Sequence, residues 1–221
     1  GKWIAFVADA RLRPDSVVDL ERDALGTLPY NKARDEADRN DTDLYVVAST
    51  GGTPRKVSEW MGAESDITWS PDSKQLAFVG RPTRVKSARI YVVDMAGGMP
   101  RNLLGDWQFE PGSLSWLTTG HLQFAADIGG RSAILRADLT GKTAPKELVG
   151  GRRQLRGVSY DAAAKVMAYT SSSMTKPTEL FVATADGTGE RQLTRFNDSV
   201  NTDVVWSDAD RFTYKSVGNL E

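Results

Sequence analysis

The chain has 221 residues, 40% of them apolar, 9% aromatic and 26% charged, with 20 Gly and 9 Pro; this composition excludes wholesale disorder and collagen-like or low-complexity architecture. Lys and Arg number 28 against 29 Asp and Glu, a net charge of −1, so no basic field exists to attract nucleic acid. Cysteine is absent and His121 is the only histidine, which removes disulfides, thiolate chemistry and zinc sites built on several histidines.

Taken in chain order, the first element is Trp3-Ile4-Ala5-Phe6-Val7. It is too short and too aromatic for a signal peptide and reads as the middle of a strand, as if the chain began inside a longer protein. An irregular stretch, about 9–42, follows. Asp15 or Ser16 could cap a short helix there with Val17, Leu20 and Ala24 on its apolar face. The charge-dense segment Lys32 to Asp41 comes next. Then Leu44-Tyr45-Val46-Val47, the turn Ser49-Thr50-Gly51-Gly52 and Pro54-Arg55-Lys56-Val57 resume the strand pattern.

From residue 67 a repeat is plain. It runs Ile67-Thr68-Trp69-Ser70-Pro71-Asp72, then Leu76-Ala77-Phe78-Val79, then Ile90-Tyr91-Val92-Val93, then Pro100-Arg101-Asn102-Leu103. Trp69 recurs as Trp116, Tyr160 and Trp206 at steps of 47, 44 and 46. The second element recurs as Ile4–Val7, Leu122–Ala125 and Val166–Tyr169; the third as Leu44–Val47, Ile134–Ala137 and Leu180–Ala183. The fourth recurs as Pro54–Val57, Pro145–Leu148 and Arg191–Thr194. Four short β-branched or aromatic elements per repeat, bounded by turn residues, predict one four-stranded blade each. Many of these strands are apolar on both faces, as a sheet stacked between two others must be.

The predicted fold is therefore all-β: a β-propeller of about four blades, with the first blade entering at its second strand. The chain is expected to be part of a larger seven- or eight-bladed ring. Pairing of Val204-Val205-Trp206 beside Ile4–Val7 would instead close a small four-bladed one. Blades span 1–198, with the insertion at about 9–42, and 199–221 form a junction. Open blade faces would invite association between copies.

No catalytic set emerges. Gly130-Arg131-Ser132-Ala133-Ile134 lacks the last glycine of a nucleophile elbow and precedes a strand. His121 sits in a turn with no partner set. Gly187-Thr188-Gly189-Glu190 is a hairpin turn rather than a phosphate loop. Asp35 to Asp43 lacks the glycine and terminal glutamate of a calcium loop and reads as a solvated charged loop. Asp208 and Asp210 read as a surface turn before a strand at Arg211–Lys215. Trp69, Trp116 and Trp206 read as blade core. With these motifs absent no metal or cofactor is expected, and no membrane contact either, since no apolar run approaches the ~18 residues a span needs.

Trp69-Ser70-Pro71-Asp72 to Leu76-Ala77-Phe78 resembles the propeller repeat shared by TolB-type proteins and serine peptidases of the prolyl oligopeptidase family. Leu193-Thr194-Arg195-Phe196-Asn197-Asp198, followed by Arg211-Phe212-Thr213-Tyr214-Lys215-Ser216, is similar to the junction in the acylaminoacyl- and dipeptidyl-peptidase branch. There the last blade gives way to an α/β-hydrolase domain. That family usually continues Ser-x-Asp-Gly, whereas this chain has Ser216-Val217-Gly218-Asn219.

The resemblance implies a non-catalytic propeller that admits short peptides to a hydrolase domain lying beyond Glu221. The length and position of the insertion at about 9–42 predict that it reaches the cleft of that domain, with Tyr30 and Arg34 contacting substrate. The alternatives are a TolB-like interaction scaffold without an enzyme and a ligand-binding propeller.

Overall fold

A computed structural model describes residues 1–9, 20, 23–24, 26–29, 42–60, 62–83, 86–161, 163, 165–210, 212–215 and 217. Among the described residues fifteen strands form four consecutive sheets, each laid out in sequence order. The first has three strands: β1 (Trp3–Asp9), β2 (Thr42–Ala48) and β3 (Arg55–Lys56). The others have four. They are β4 (Glu64–Trp69), β5 (Gln75–Gly80), β6 (Arg89–Asp94) and β7 (Arg101–Asn102), then β8 (Pro111–Thr118), β9 (His121–Ile128), β10 (Arg131–Asp138) and β11 (Lys146–Val149). The last sheet comprises β12 (Gln154–Asp161), β13 (Val166–Ser173), β14 (Lys176–Thr184) and β15 (Arg191–Gln192). These are propeller blades, and the first lacks its opening strand, as the repeat predicted. By contacts the chain forms two compact units: 1–127 with 135–146, and 128–134 with 147–221.

The turn after the repeated tryptophan holds as its residue types require. The Ser73 amide donates to the Ser70 carbonyl over 2.8 Å, and the buried Ser70 hydroxyl donates to Asp72 Oδ1 over 2.7 Å while accepting from the Gln75 amide. Those bonds hold the Asp72 carboxyl below the usual carboxylate range, the Ser70 hydroxyl first and the Lys74 amide second.

A second recurrence was not read in the sequence. Asp66, Ser113 and Gly157 have φ of 49°, 54° and 60°, and each stands three residues before Trp69, Trp116 or Tyr160. At each the pairing register slips: between Ser65 and Thr68, Gly112 and Ser115, and Arg156 and Ser159. A bulge at the same place in every first strand bends and twists it alike. In the first unit Asp66 Oδ2 then accepts from the Ser113 amide at 3.2 Å, and Trp116 Nε1 donates to the Thr68 carbonyl at 3.1 Å. Bulge and tryptophan thus tie β8 to β4.

The first unit's core packs Leu44, Val46, Leu76, Phe78, Tyr91 and Val93, with Trp60 against the Phe78 and Tyr91 rings. The second unit's core packs Ile134, Val149, Leu155, Met167, Tyr169 and Ala183.

Three expectations are corrected. Asp43, read as part of a solvated loop, is buried. Its carboxylate accepts from the Trp60 amide and pairs with Lys56 Nζ at 2.6 Å, because it opens a buried strand rather than ending the charged stretch. Val204-Val205-Trp206 form no strand. A short helix, α1 (Asp198–Asp203), precedes them, and Val205 and Trp206 are 97% and 38% exposed. Among the described residues there is likewise no strand at 212–215, where Phe212 and Tyr214 are exposed. Neither segment pairs with a strand, and a strand-like sequence unpaired with a neighbour does not become a strand, since its preference is for packing on neighbours. The predicted helix near 15–24 lies largely outside the described residues; Leu20 and Ala24 are helical and exposed.

Glu64, at the start of β4, is 5% exposed, and among the described residues neither of its carboxylate oxygens has a hydrogen-bond partner. Burial, reinforced by the Asp43 charge, pushes its pKa up to about 7. In the unfolded chain Glu64 loses its proton near 4.5, so between that value and about 7 only the unfolded chain ionises there and stability falls as pH rises. Glu64→Gln removes this slope. Urea titrations from pH 4.5 to 8 should show the variant gaining on the parent by about 3 kcal/mol across the range; a constant difference would show that Glu64 ionises normally in the fold.

Candidate functional site

Two cavities of the second unit adjoin at the connection between β11 and β12, Gly150-Gly151-Arg152-Arg153. One encloses about 660 Å3 and the other about 610 Å3, and both are lined by Arg152, Arg153, Ser172 and Ser173. The walls come from connections on one edge of the strands: the β9–β10 turn at Gly129-Gly130, the β11–β12 connection, and the β13–β14 turn at Met174. Antiparallel strands taken in sequence order alternate their connections between two edges, so these three meet on one side. The segment after β15 returns to the same place with Arg195, Trp206, Asp210 and Phe212.

The connection is held by an aromatic and ionic clamp. Gly151 takes φ of 100°, open to glycine at little cost, and lets the chain reverse so that the Arg153 amide donates to the Gly151 carbonyl over 2.8 Å. Arg153 then grips Glu190 with both terminal nitrogens, Nη1 to Oε1 at 2.7 Å and Nη2 to Oε2 at 2.9 Å. Its Nε donates to the Gly150 carbonyl, and its guanidinium lies 5.8 Å from the Phe181 ring centre. Tyr169, fully buried, donates its hydroxyl to Glu190 Oε1 over 2.6 Å. Burial and this bond raise the Tyr169 phenol well above the usual tyrosine range, while Arg153 and Tyr169 outweigh burial and hold Glu190 below the usual carboxylate range. Glu190 is placed by the Asp186–Glu190 turn, whose Gly187 packs so closely on the Leu148 carbonyl that a side chain there would collide.

Beneath the groove lies a second network. The buried Ser132 hydroxyl donates to Gln154 Oε1 over 2.8 Å and accepts from Arg156 Nη1, whose Nη2 also reaches Gln154 Oε1. Ser132 is therefore a structural group in β10. His121 opens β9 in the first unit, with Nδ1 3.2 Å from Thr118 Oγ1 and Nε2 3.9 Å from Asp138 Oδ2. The latter is too long for a hydrogen bond, and no acid–base pair is formed at this exposed hairpin. Among the described residues no cluster of three or more acidic or histidine side chains could hold a metal.

The site residues predicted in the insertion, Tyr30 and Arg34, lie outside the described residues. Trp206, read from sequence as blade core, instead lines the groove, and Asp210, exposed as a surface residue, lines it too. The groove itself was missed. Its signals, Gly150-Gly151-Arg152-Arg153 and Ser171-Ser172-Ser173, carry no motif, and only folding brings them together.

No protein-family model matches the chain, and no curated protein matches it in sequence. Among solved structures, the acylaminoacyl peptidase of Pyrococcus horikoshii matches with a TM-score of 0.60 and 20% identity over 80% of this chain and 26% of its own. A TolB from Agrobacterium tumefaciens matches with a TM-score of 0.55 and 18% identity, over 68% of this chain and 56% of its own. A puromycin-hydrolyzing peptidase of Mycobacterium tuberculosis matches with a TM-score of 0.57 and 16% identity, over 74% and 28%. The chain thus spans about half of the TolB and about a quarter of each peptidase. At these identities the likeness shows the fold: the blades of a β-propeller, in the form that such peptidases and TolB share.

The clamp sets the shape of the groove and can be tested through its hydroxyl. Tyr169→Phe removes one hydrogen bond to Glu190 without emptying the core, so unfolding stability should fall by about 1–2 kcal/mol. A thermal melt at neutral pH unchanged within error would show that the Arg153–Glu190 pair does not need it.

Proposed function

We propose that the chain is the non-catalytic propeller portion of a serine peptidase of the prolyl oligopeptidase family. In this reading it gates the access of short peptides to an α/β-hydrolase domain, with residues 199–221 as the junction. The observation that carries the reading is the convergence of sequence and fold. The Trp-Ser-Pro-Asp repeat and the Leu193–Asp198 segment resemble that family, and the blades match an acylaminoacyl peptidase over 80% of this chain. Exposed apolar side chains after the last strand, at Phe196, Val205, Phe212, Tyr214 and Val217, support it. Such a run fits a surface covered by another folded element.

Gating follows from shape. A propeller set over a cleft obliges substrate to pass a channel or an interdomain gap, which admits short flexible peptides and rejects folded chains. The chemistry then belongs to the hydrolase domain, and this chain contributes selection. The alternative reading, a TolB-like scaffold that binds a protein partner, draws on the match to the Agrobacterium TolB.

The two readings part in a hydrolysis assay. The full-length product of the gene should cleave p-nitroanilide peptides, and the 221-residue chain should not; an inert full-length product would favour the scaffold. In the active protein, Tyr30→Ala and Arg34→Ala should each raise KM several-fold with kcat little changed. Unaltered KM and peptide preference in both would remove the insertion from the substrate path.

A further inference from the structure

We infer that the seam between the first and second sheets is a proton-controlled latch. It stays shut around the uncharged Glu64 side chain, and each local opening lets that carboxyl ionise, so withdrawal of protons favours the open form. The inference is independent of the peptidase reading. It also goes beyond the stability slope above, since the opening is confined to the stitches between β2 and β4 while the sheets stay folded.

Side chains, rather than a strand ladder, stitch this seam. Ser58 Oγ accepts from the Leu44 amide at 2.9 Å, and Asp43 Oδ1 from the Trp60 amide at 3.1 Å. Thr42 Oγ1 accepts from the Glu64 amide at 3.4 Å, beyond the usual range for a nitrogen donor and so the weakest of the three. Glu64 stands opposite Gly80 in the ladder, so its side chain leaves the sheet on the same face as Gly80 and Phe78. On that face Phe78 packs with Leu44 and Val46 of the first sheet. A Cβ on Gly80 would stand 2.6 Å from the Trp60 ring, and one on Gly62 would stand 2.2 Å from the Arg81 carbonyl oxygen. Glycine at both positions lets the connection lie directly on the second sheet. The closed seam thereby shields the carboxyl: Glu64 is 5% exposed, with neither oxygen in hydrogen-bond geometry with a partner among the described residues.

The surrounding charges oppose ionisation inside the closed seam. From β2 Glu64 meets Asp43, itself buried. Lys56 of β3 is held by Asp43 Oδ2 at 2.6 Å and has Glu59 at 3.8 Å. On the second sheet Arg81 is held by Glu110 at 2.8 Å, and Asp66 Oδ2 accepts from the Ser113 amide. β1 brings apolar side chains from Trp3 to Ala8, and β8 opens with Pro111, Gly112 and Ser113. An anion at Glu64 would thus face a like charge, with the cations nearby engaged by other acids, and hydration is what would stabilise it. Hydration requires the seam to part at its weakest stitch, a local opening of the kind that low-stability segments undergo. Burial, and the Asp43 charge with it, holds the proton to about 7 in the closed form, against 4.5 for a solvated carboxyl. Opening therefore becomes about tenfold more frequent per pH unit between those values and levels off above them.

The test is native-state hydrogen exchange on the 221-residue chain from pH 5 to 8, corrected for the chemical pH dependence of exchange. At the Leu44, Trp60 and Glu64 amides the opening constant should rise about seventyfold across that range, with most of the rise complete by pH 7. At every pH it should exceed that of β13, the buried central strand of the second unit. Glu64→Gln should leave the seam constant flat. Glu59→Gln, which replaces an 87% exposed acid of the same connection, should keep the parent's rise. The parent profile and its comparison with β13 need no variant, so they decide the matter even where Glu64→Gln does not fold. Seam constants equal to those of β13 at each pH would show unfolding of the whole chain and overturn the latch. A flat seam in the parent, the same rise in Glu64→Gln, or loss of the rise in Glu59→Gln would overturn it as well. No arm reads hydrolysis, so failure here leaves the peptidase reading untouched.

Discussion

A sheet of four short strands with apolar side chains on both faces cannot bury them alone. Leu76 and Phe78 on one face and Ala77 and Val79 on the other are all buried, and each face demands a neighbouring layer. From that need follow the even spacing of the repeats, the shortness of the fourth strands and the common bend of the first ones. The bulge at Asp66, Ser113 and Gly157 is the local device that meets it. By giving each first strand the same twist, it sets the aromatic residue three places later at the same point of each strand. Trp116 shows the result, with its body buried and its indole nitrogen on a backbone carbonyl of the adjoining sheet.

That stacking leaves the connections as the variable part. In the second unit they converge on one edge, and the Arg153–Glu190–Tyr169 clamp fixes them to the sheet beneath. A bidentate pair resting on an aromatic ring and joined by a buried phenol makes a firm mount. Side chains next to it, Arg152 above all, are carried on a rigid base although they are exposed. The same economy applies at Glu64, a buried carboxylate near Asp43 whose oxygens lie within hydrogen-bond geometry of no partner among the described residues. Burial raises its pKa to about 7, so the fold holds its proton below neutrality.

Much of the fold was legible because the repeat is written in residue types that act locally. Trp69-Ser70-Pro71-Asp72 encodes a turn through its own side chains, and Leu76–Val79 encodes a strand buried on both faces. What was not legible depends on partners distant in the chain. Asp43 looked like the end of a charged stretch until the Trp60 amide and Lys56 were seen to meet it. Val204-Val205-Trp206 carried a strand signal but pairs with no strand, and α1 precedes it. The groove draws on segments from Gly129 to Phe212, none of which carries a motif. Glycine at 157 could have hinted at the bulge; Asp66 and Ser113, at the same position, concealed it.

The central claim is that this chain selects peptides for chemistry done elsewhere in its parent protein. The most direct measurement is to treat the full-length gene product with a fluorophosphonate probe and map the labelled serine by mass spectrometry. The account predicts a single label on a serine beyond Glu221 and none on the 221-residue chain. A label on any serine within residues 1–221, or no label on a folded full-length protein, would contradict it.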